Sequence, residues 1–406
     1  MPASTHHPGS LLQLAPRRAG PCPGRLSPIY EVKELAERRE RAVLVGLNPA
    51  SHADDTLTEL ENLTTTAGAD VVHRVVQRRT SLNPGTFLSR GKLSLLEGMA
   101  RENEMDLVVF DDQLSPAQVR NLEKRLETKI LDRSELILAI FAGRARTREA
   151  RLQVELAQLE YLLPRLTRMW GHLSRQQGGI GTRGPGETQL EVDRRRVREK
   201  IAFLKRKLDA VEKERDVQRA RRRRLHRTAL VGYTNAGKST LMNALTGADV
   251  FAEDKLFATL DATTRRYRFP DGGVTLFTDT VGFIRKLPHH LVASFKSTLE
   301  EVIEADLLLH VVDASSSLAH EQAQAVERVL TELGAARIPT LTVLNKIDAA
   351  DEDRVAGLRV RYSGAVACSA LTREGLSAVR AAVRAVIPSP PPGFSSATNG
   401  RGVHPA

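Results

Sequence analysis

Gly232-Tyr-Thr-Asn-Ala-Gly-Lys-Ser-Thr240 decides the fold of this 406-residue chain. The stretch comes after three apolar residues, Ala229, Leu230 and Val231. It runs into Leu241, Met242, Ala244 and Leu245, which are spaced as one face of a helix. Strand, glycine turn and helix, with G-x-x-x-x-G-K-[ST] in the turn, is the order of a loop that wraps a phosphate. Gly232 and Gly237 let the backbone curl so that its N–H groups surround the anion, and the helix N-terminus adds a favourable dipole. Lys238 is placed to reach the β and γ oxygens, and Ser239 to offer its hydroxyl to Mg²⁺. The whole loop is therefore assigned to the nucleotide: Gly232, Tyr233, Thr234, Asn235, Ala236, Gly237, Lys238 and Ser239. A glycine turn beside a solvated lysine would show the same pattern, so the reading depends on motifs farther along the chain.

Those motifs occur in the order a nucleotide domain requires. Asp279-Thr-Val-Gly282 comes after the apolar alternation Val274, Leu276, Phe277. An aspartate at a strand end can hold Mg²⁺ through water, and Gly282 can give its N–H to a γ-phosphate, with Thr280 and Val281 lining the same turn. Asn345-Lys-Ile-Asp348 comes after the strand Thr340–Leu344. Asp348 can accept from both N1–H and N2–H₂ of guanine, a donor pair that adenine lacks, so GTP and GDP are selected over adenine nucleotides. Ser369-Ala370 can supply a backbone donor to guanine O6. Between these motifs lies Phe257-Ala258-Thr259-Leu260-Asp261, where Thr259 is the candidate to close on Mg²⁺ when the γ-phosphate is present. Ser239 and Thr259 are thus the metal residues, and Lys238, Thr259 and Gly282 the catalytic ones. Phe283 stands where many GTPases place a water-orienting glutamine, which predicts slow intrinsic hydrolysis raised by a partner or a cation. Asn235 sits where potassium-activated relatives place a K⁺ ligand; an asparagine that supports loop geometry fits equally well.

Composition bounds the rest. Hydrophobic residues make up 41% of the chain and only two cysteines occur, Cys22 and Cys368. That excludes a disulfide framework and fits a reducing cytoplasm. The longest apolar runs, such as Leu307–Val312, are sized for core strands and not for a bilayer. The N-terminal residues lack the continuous apolar segment of a signal peptide. The formal charge of +11 is local: the span from Arg194 to Arg227 carries sixteen Lys/Arg against five Asp/Glu. The remainder is formally neutral, which points to one polyanion contact. A solvated helix face would produce the same charge run.

Ahead of the loop the pattern divides into two regions. From Ala42 onward apolar strands (42–47, 71–76, 107–110, 129–131) alternate with helices (through Leu57, Leu60 and Leu63; 92–100; 115–126; 134–141), the mark of a small parallel α/β domain. Then Leu152, Leu156, Leu159, Leu163, Leu166 and Trp170 form a heptad seam. A second seam runs through Leu190, Val197, Ile201, Leu204, Leu208 and Val211. Two seams joined by a loop predict an antiparallel helical hairpin, with Pro164 kinking or breaking its first helix. The linking loop holds five glycines and a proline between Gly178 and Gln189, more than a turn requires, so Arg183 and the loop amides are candidates to meet phosphates or bases. The expected organisation is a tail over 1–27, an N-terminal α/β domain over 28–145, a hairpin with a glycine-rich tip over 146–227, a doubly wound P-loop GTPase domain over 228–388, and a tail over 389–406.

Assembled, the residues resemble the HflX family of translation-associated GTPases. The specific likeness is Gly178-Gly-Ile-Gly-Thr-Arg-Gly-Pro-Gly-Glu-Thr-Gln-Leu-Glu-Val-Asp-Arg-Arg195, supported by Phe110-Asp-Asp-Gln-Leu-Ser-Pro-Ala-Gln118, Arg144-Ala-Arg-Thr-Arg-Glu149 and Gln153-Val-Glu-Leu-Ala-Gln-Leu-Glu-Tyr161. The resemblance implies a GTP hydrolase using Mg²⁺, with nucleotide contacts that extend to Lys346, Ile347 and Leu371; nothing in the sequence demands more than a monomer. The resemblance implies binding to the large ribosomal subunit and its rRNA and GTP-dependent splitting of stalled or idle ribosomes. No DNA contact is expected, and the basic helix, its seam committed to a partner helix, has few apolar residues left for a membrane. Arg183, Arg194, Arg195, Arg221 and Arg222 are the expected ribosome contacts. Longer family members carry a small domain after the GTPase domain, and the stretch beyond Pro388 has no room for one. An RNA-binding assembly factor that uses GTP only as a timer is the alternative reading.

Overall fold

A parallel sheet and a second sheet parallel in all but its edge strand, joined by a helical hairpin, account for the alternation of apolar strands and amphipathic helices. The structure, a computed structural model, describes residues 39–48, 53–78, 82–102, 104–167, 185–220, 225–247, 256–257, 259–286 and 296–387. The expected tails at 1–27 and 389–406 lie outside these, as do Cys22, Trp170, most of the glycine-rich tip with Arg183, and Ala258, Arg221 and Arg222.

The first sheet contains β1 (Arg41–Asn48), β2 (Asp70–Arg78), β3 (Leu107–Phe110) and β4 (Lys129–Asp132), all parallel in the order β2-β1-β3-β4. Its helices are α1 (Ala53–Thr66), α2 (Arg90–Arg101), α3 (Pro116–Leu126) and α4 (Arg133–Arg144). Ala42 and Leu44 enter one core while Val43 and Val45 enter another. Both faces of β1 are therefore covered, which is why the strand reads as a continuous apolar run. Helix α3 starts at a capping box, Ser115 with Gln118, with proline in its first turn.

The hairpin consists of α5 (Arg148–Leu162) and α6 (Pro185–Ala220), with a short 3₁₀ turn at Arg165–Thr167. Pro164 acts as a break: α5 ends at Leu162, so Leu163 and Leu166 of the expected seam lie beyond it. On α6, Val197 and Leu204 are the fully buried seam positions. Helix α5 has a second apolar row that the seam did not announce. Ala150, Val154, Ala157 and Tyr161 pack into the core that holds Ile140 and Phe141 of α4. Ion pairs Glu155–Lys200 and Glu160–Lys205 tie α5 to α6.

The third region is a six-stranded sheet: β5 (His226–Gly232), β6 (Thr263–Arg268), β7 (Val274–Asp279), β8 (Leu307–Asp313), β9 (Thr340–Asn345) and β10 (Val366–Ala367). Its order is β10-β9-β8-β5-β7-β6, parallel except for β6, which runs antiparallel to β7 at the edge. Three arginines in β6 suit an edge that must not pair further. Helices α7 (Lys238–Thr246), α8 (Lys296–Ile303), α9 (Ala319–Glu332), α10 (Glu352–Arg361) and α11 (Leu376–Val386) complete it. The described residues belong to one compact unit. One apolar core joins Leu136, Ile140 and Phe141 of α4 to Phe257, Leu260, Val281 and Phe283. Among the described residues no helix is long and apolar enough to cross a membrane.

Candidate functional site

The loop after β5 turns where a side chain cannot fit. A Cβ on Gly232 would lie 2.3 Å from the carbonyl oxygen of Val311, and one on Gly237 would lie 2.4 Å from Nδ2 of Asn345. Gly237 also has φ of 87°, a left-handed value that favours glycine. Asn235 has φ of 61°, which asparagine tolerates better than most residues. Ala236 is buried, so only its backbone can serve a ligand. The Lys238 ammonium is enclosed against the loop, donating to the carbonyl oxygens of Gly232 (3.3 Å) and Tyr233 (3.0 Å). Burial pulls its pKa down to about 8, with Asp279 opposing the shift. His310 on β8 is also buried, and burial followed by the nearby Lys238 charge lowers it to about 4, so it is neutral at physiological pH.

Ser239, Thr259 and Asp279 meet at one corner. Ser239 donates to Asp279 Oδ2 at 2.5 Å, Thr259 donates to the same oxygen at 3.0 Å, and the two hydroxyls are 2.8 Å apart. Asp279 Oδ1 is buried without a hydrogen-bond partner. Burial raises the Asp279 pKa, against the pull of Lys238 and the two hydroxyls. An all-oxygen set with an orphaned carboxylate oxygen fits Mg²⁺, and burial makes a divalent cation beside Asp279 and a phosphate beside Lys238 count for more than they would in water. Gly282 closes the corner: a Cβ there would lie 2.7 Å from Thr234 Cα and 3.0 Å from Lys238 Nζ. Thr280 and Val281 turn their side chains inward, Thr280 donating to the Leu230 carbonyl at 2.7 Å.

The base end is organised by Asn345. Its Nδ2 donates to the Ala236 carbonyl (2.9 Å) and its Oδ1 accepts from the Ala370 amide (3.0 Å), so one buried side chain fastens the phosphate loop to the Ser369-Ala370 turn. Of the backbone donors in the Ser369-Ala370 turn, the Ala370 amide is directed at Asn345. Lys346 has a left-handed φ of 64° and pairs with Asp313 at 2.8 Å. Asp348 lies in the short helix Ile347–Ala349 with an exposed carboxylate, while Ser369 is buried and Leu371 exposed.

Three family descriptions match in succession along the chain: GTP-binding GTPase N-terminal over residues 54–142, GTP-binding GTPase Middle Region over 144–222, and 50S ribosome-binding GTPase over 227–346. The GTPase HflX of Caldanaerobacter subterraneus subsp. tengcongensis is 53% identical over 78% of this chain and 74% of its own length. That of Escherichia coli is 50% identical over 76% and 73% respectively. This chain belongs to the HflX family of GTPases. A solved structure described as SsGBP in complex with GDP is 27% identical, with a TM-score of 0.48, over 86% of this chain and 98% of that one.

Membership makes this chain a GTP hydrolase, of a class that generally uses Mg²⁺. In this HflX GTPase the segment after Asp279-Thr-Val-Gly282 and the segment around Thr259, the two candidate switches, both contact residues between Glu59 and Thr147. Phe283 is fully buried; its N–H donates to Gly232 O and its carbonyl accepts from Thr234 N, so it sits in the core and not over the phosphate corner. Tyr233 sends its hydroxyl to Glu59 of α1 (2.8 Å) and accepts from the Arg285 amide (2.8 Å). Glu59 also takes Arg133 (2.5 Å) and Arg285 (3.3 Å), and Asp111 takes Arg133 (2.6 Å) and Lys286 (2.6 Å). Burial would raise Asp111, but Arg133 and Lys286 outweigh it and hold its pKa below the usual value. On the other switch, Phe257 donates its N–H to Thr234 Oγ1 (3.0 Å) and stacks edge-on against Phe141 at 4.7 Å. Asp261, read from the sequence as a nucleotide residue, directs its carboxylate to Arg146 and Thr147 at the start of α5. Glu59, Asp111, Arg133 and Arg285 escaped the sequence reading; the only local signal was charge at positions the fold buries.

Proposed function

We propose that this GTPase binds the large ribosomal subunit through its hairpin and uses GTP to split or rescue stalled or idle ribosomes, serving cells under stress. The observation that carries the reading is the exposed face of α6. Arg195, Arg196, Arg198, Lys200, Lys205 and Arg206 are all exposed on a helix of 36 residues, about 54 Å long. rRNA is a dense polyanion, and such a face gains affinity by releasing its counterions. Arg194 is half-buried, so Arg195 is the better contact of that pair.

At the nucleotide, Lys238 and the loop amides hold the phosphates, the Gly282 amide meets the γ-phosphate, and Asp348 selects guanine. Ser239 and Thr259 would hold Mg²⁺ with Asp279 behind them, and the bound ion would supply charge neutralisation at the phosphate oxygens. Because Phe283 cannot orient water, the free protein hydrolyses slowly and the ribosome raises the rate. Asn235, exposed in the loop, is the candidate through which K⁺ adds to that rate.

Sucrose-gradient sedimentation of intact ribosomes with this protein and GTP is the test. Conversion to subunits is the expected result. If intact ribosomes persist while subunits bind the protein tightly in a non-hydrolysable analogue, splitting fails and a GTP-timed assembly factor becomes the reading.

A further inference from the structure

Helix α5 begins on a residue of the GTPase domain. Its N-cap is Thr147, whose Oγ1 accepts from the Ala150 amide at 3.1 Å. That hydroxyl donates to Asp261 Oδ1, and Asp261 Oδ2 accepts from the amides of Arg146 (3.3 Å) and Thr147 (3.2 Å). The carboxylate thus continues the cap outward, as a negative charge at the positive end of the helix. Asp261 lies two residues after Thr259, whose hydroxyl is seated against Ser239 and Asp279. Nothing between Thr259 and Asp261 is slack, because Leu260 is buried in the core shared with α4. The segment cannot leave the metal corner and keep all three bonds to the start of α5.

We propose that Asp261 is a positioning residue that makes closure of Thr259 and the seating of helix α5 a single equilibrium. GTP, by favouring Thr259 at the corner, fixes the first turn of the hairpin; GDP releases both. Linkage makes the coupling reciprocal, so whatever holds α5 in its seat also favours the GTP-closed switch. The inference rests on GTP binding alone and is independent of any ribosomal role.

The test is hydrogen exchange on the full chain with a non-hydrolysable GTP analogue or with GDP. In the wild type, amides 146–150 are expected to exchange several-fold more slowly with the analogue. In Asp261→Ala that difference disappears while loop amides 234–239 stay protected by nucleotide. Thr147→Ala, which changes no residue assigned to the nucleotide, is expected to weaken the analogue relative to GDP by about two- to tenfold, the range of one net hydrogen bond. Thr147→Ser should restore the ratio. Equal exchange at 146–150 with both nucleotides overturns the proposal, as does a Thr147→Ala variant that weakens both nucleotides equally.

Discussion

Phe283 occupies the position where a glutamine would orient water, yet its ring is 1% exposed and shares a core with Tyr233, Val281 and Ile284. Restoring the polar residue is therefore not expected to restore the chemistry. Phe283→Gln loses ring packing and places a carboxamide among apolar neighbours, which should destabilise the fold by about 2–4 kcal/mol. Single-turnover GTP hydrolysis should not rise above wild type, and thermal melting beside the turnover assay checks both halves. Faster hydrolysis in the variant would show that the side chain can reach the phosphate corner. The difference between the two outcomes marks what a sequence carries at this scale. Lys238, Ser239, Asp279, Asn345 and Asp348 are legible because each sits in a short contiguous motif whose chemistry admits few residue types. The absent glutamine is equally legible. The direction of the ring that replaced it is not, because it is set by the backbone pairing of Phe283 with Gly232 and Thr234, about fifty residues earlier, and by the apolar core it enters.

Strands and helices were readable from periodicity wherever one face or both were apolar, and less so where an element serves two neighbours. Helix α5 is the instructive element: its leucines advertise α6, while Ala150, Val154 and Ala157, too small or too few to stand out, hold it on α4. Helix α1 hides more. Glu59 is 12% exposed and takes three partners, Arg133, Arg285 and the Tyr233 hydroxyl. Arg133 is itself buried, and burial disfavours its charge while Glu59 and Asp111 sustain it. Nothing local in the sequence pairs α1 with the phosphate loop 174 positions later. Removing the shared carboxylate leaves the buried Arg133 with Asp111 as its one remaining carboxylate and strips Arg285 and the Tyr233 hydroxyl of a charged acceptor, so Glu59→Gln should lower stability by about 1–3 kcal/mol. Arg39→Ala, which breaks only the exposed pair with Asp70, should change it by about 0–1 kcal/mol. Urea unfolding of both variants decides the matter; equal small losses would mean the network contributes no more than a surface pair.

For the whole molecule the net charge of +11 is the property that one segment determines, since Arg194–Arg227 carries an excess equal to the total. The described part of that segment sets its basic side chains along the outer face of α6, away from the seam that holds Val197 and Leu204. Function at this scale comes from electrostatics more than from contact geometry. A cation that neutralises a phosphate releases a counterion, and each such contact on RNA steepens the fall of affinity with salt by about 0.7–0.9 in a plot of log K against log salt. Replacing Arg221–Arg224 by alanine removes four cations from the segment and leaves every nucleotide motif intact. Binding to large subunits should then weaken most at low salt, and the slope should drop by up to about 3.6. Guanine-nucleotide affinity, measured by fluorescence titration on the isolated protein, should stay at the wild-type value. An unchanged slope would mean that these arginines meet solvent and the exposed face of α6 carries the contact by itself. Lost nucleotide binding would mean that the basic run supports the GTPase domain from which β5 begins, and the charge would then be part of the fold.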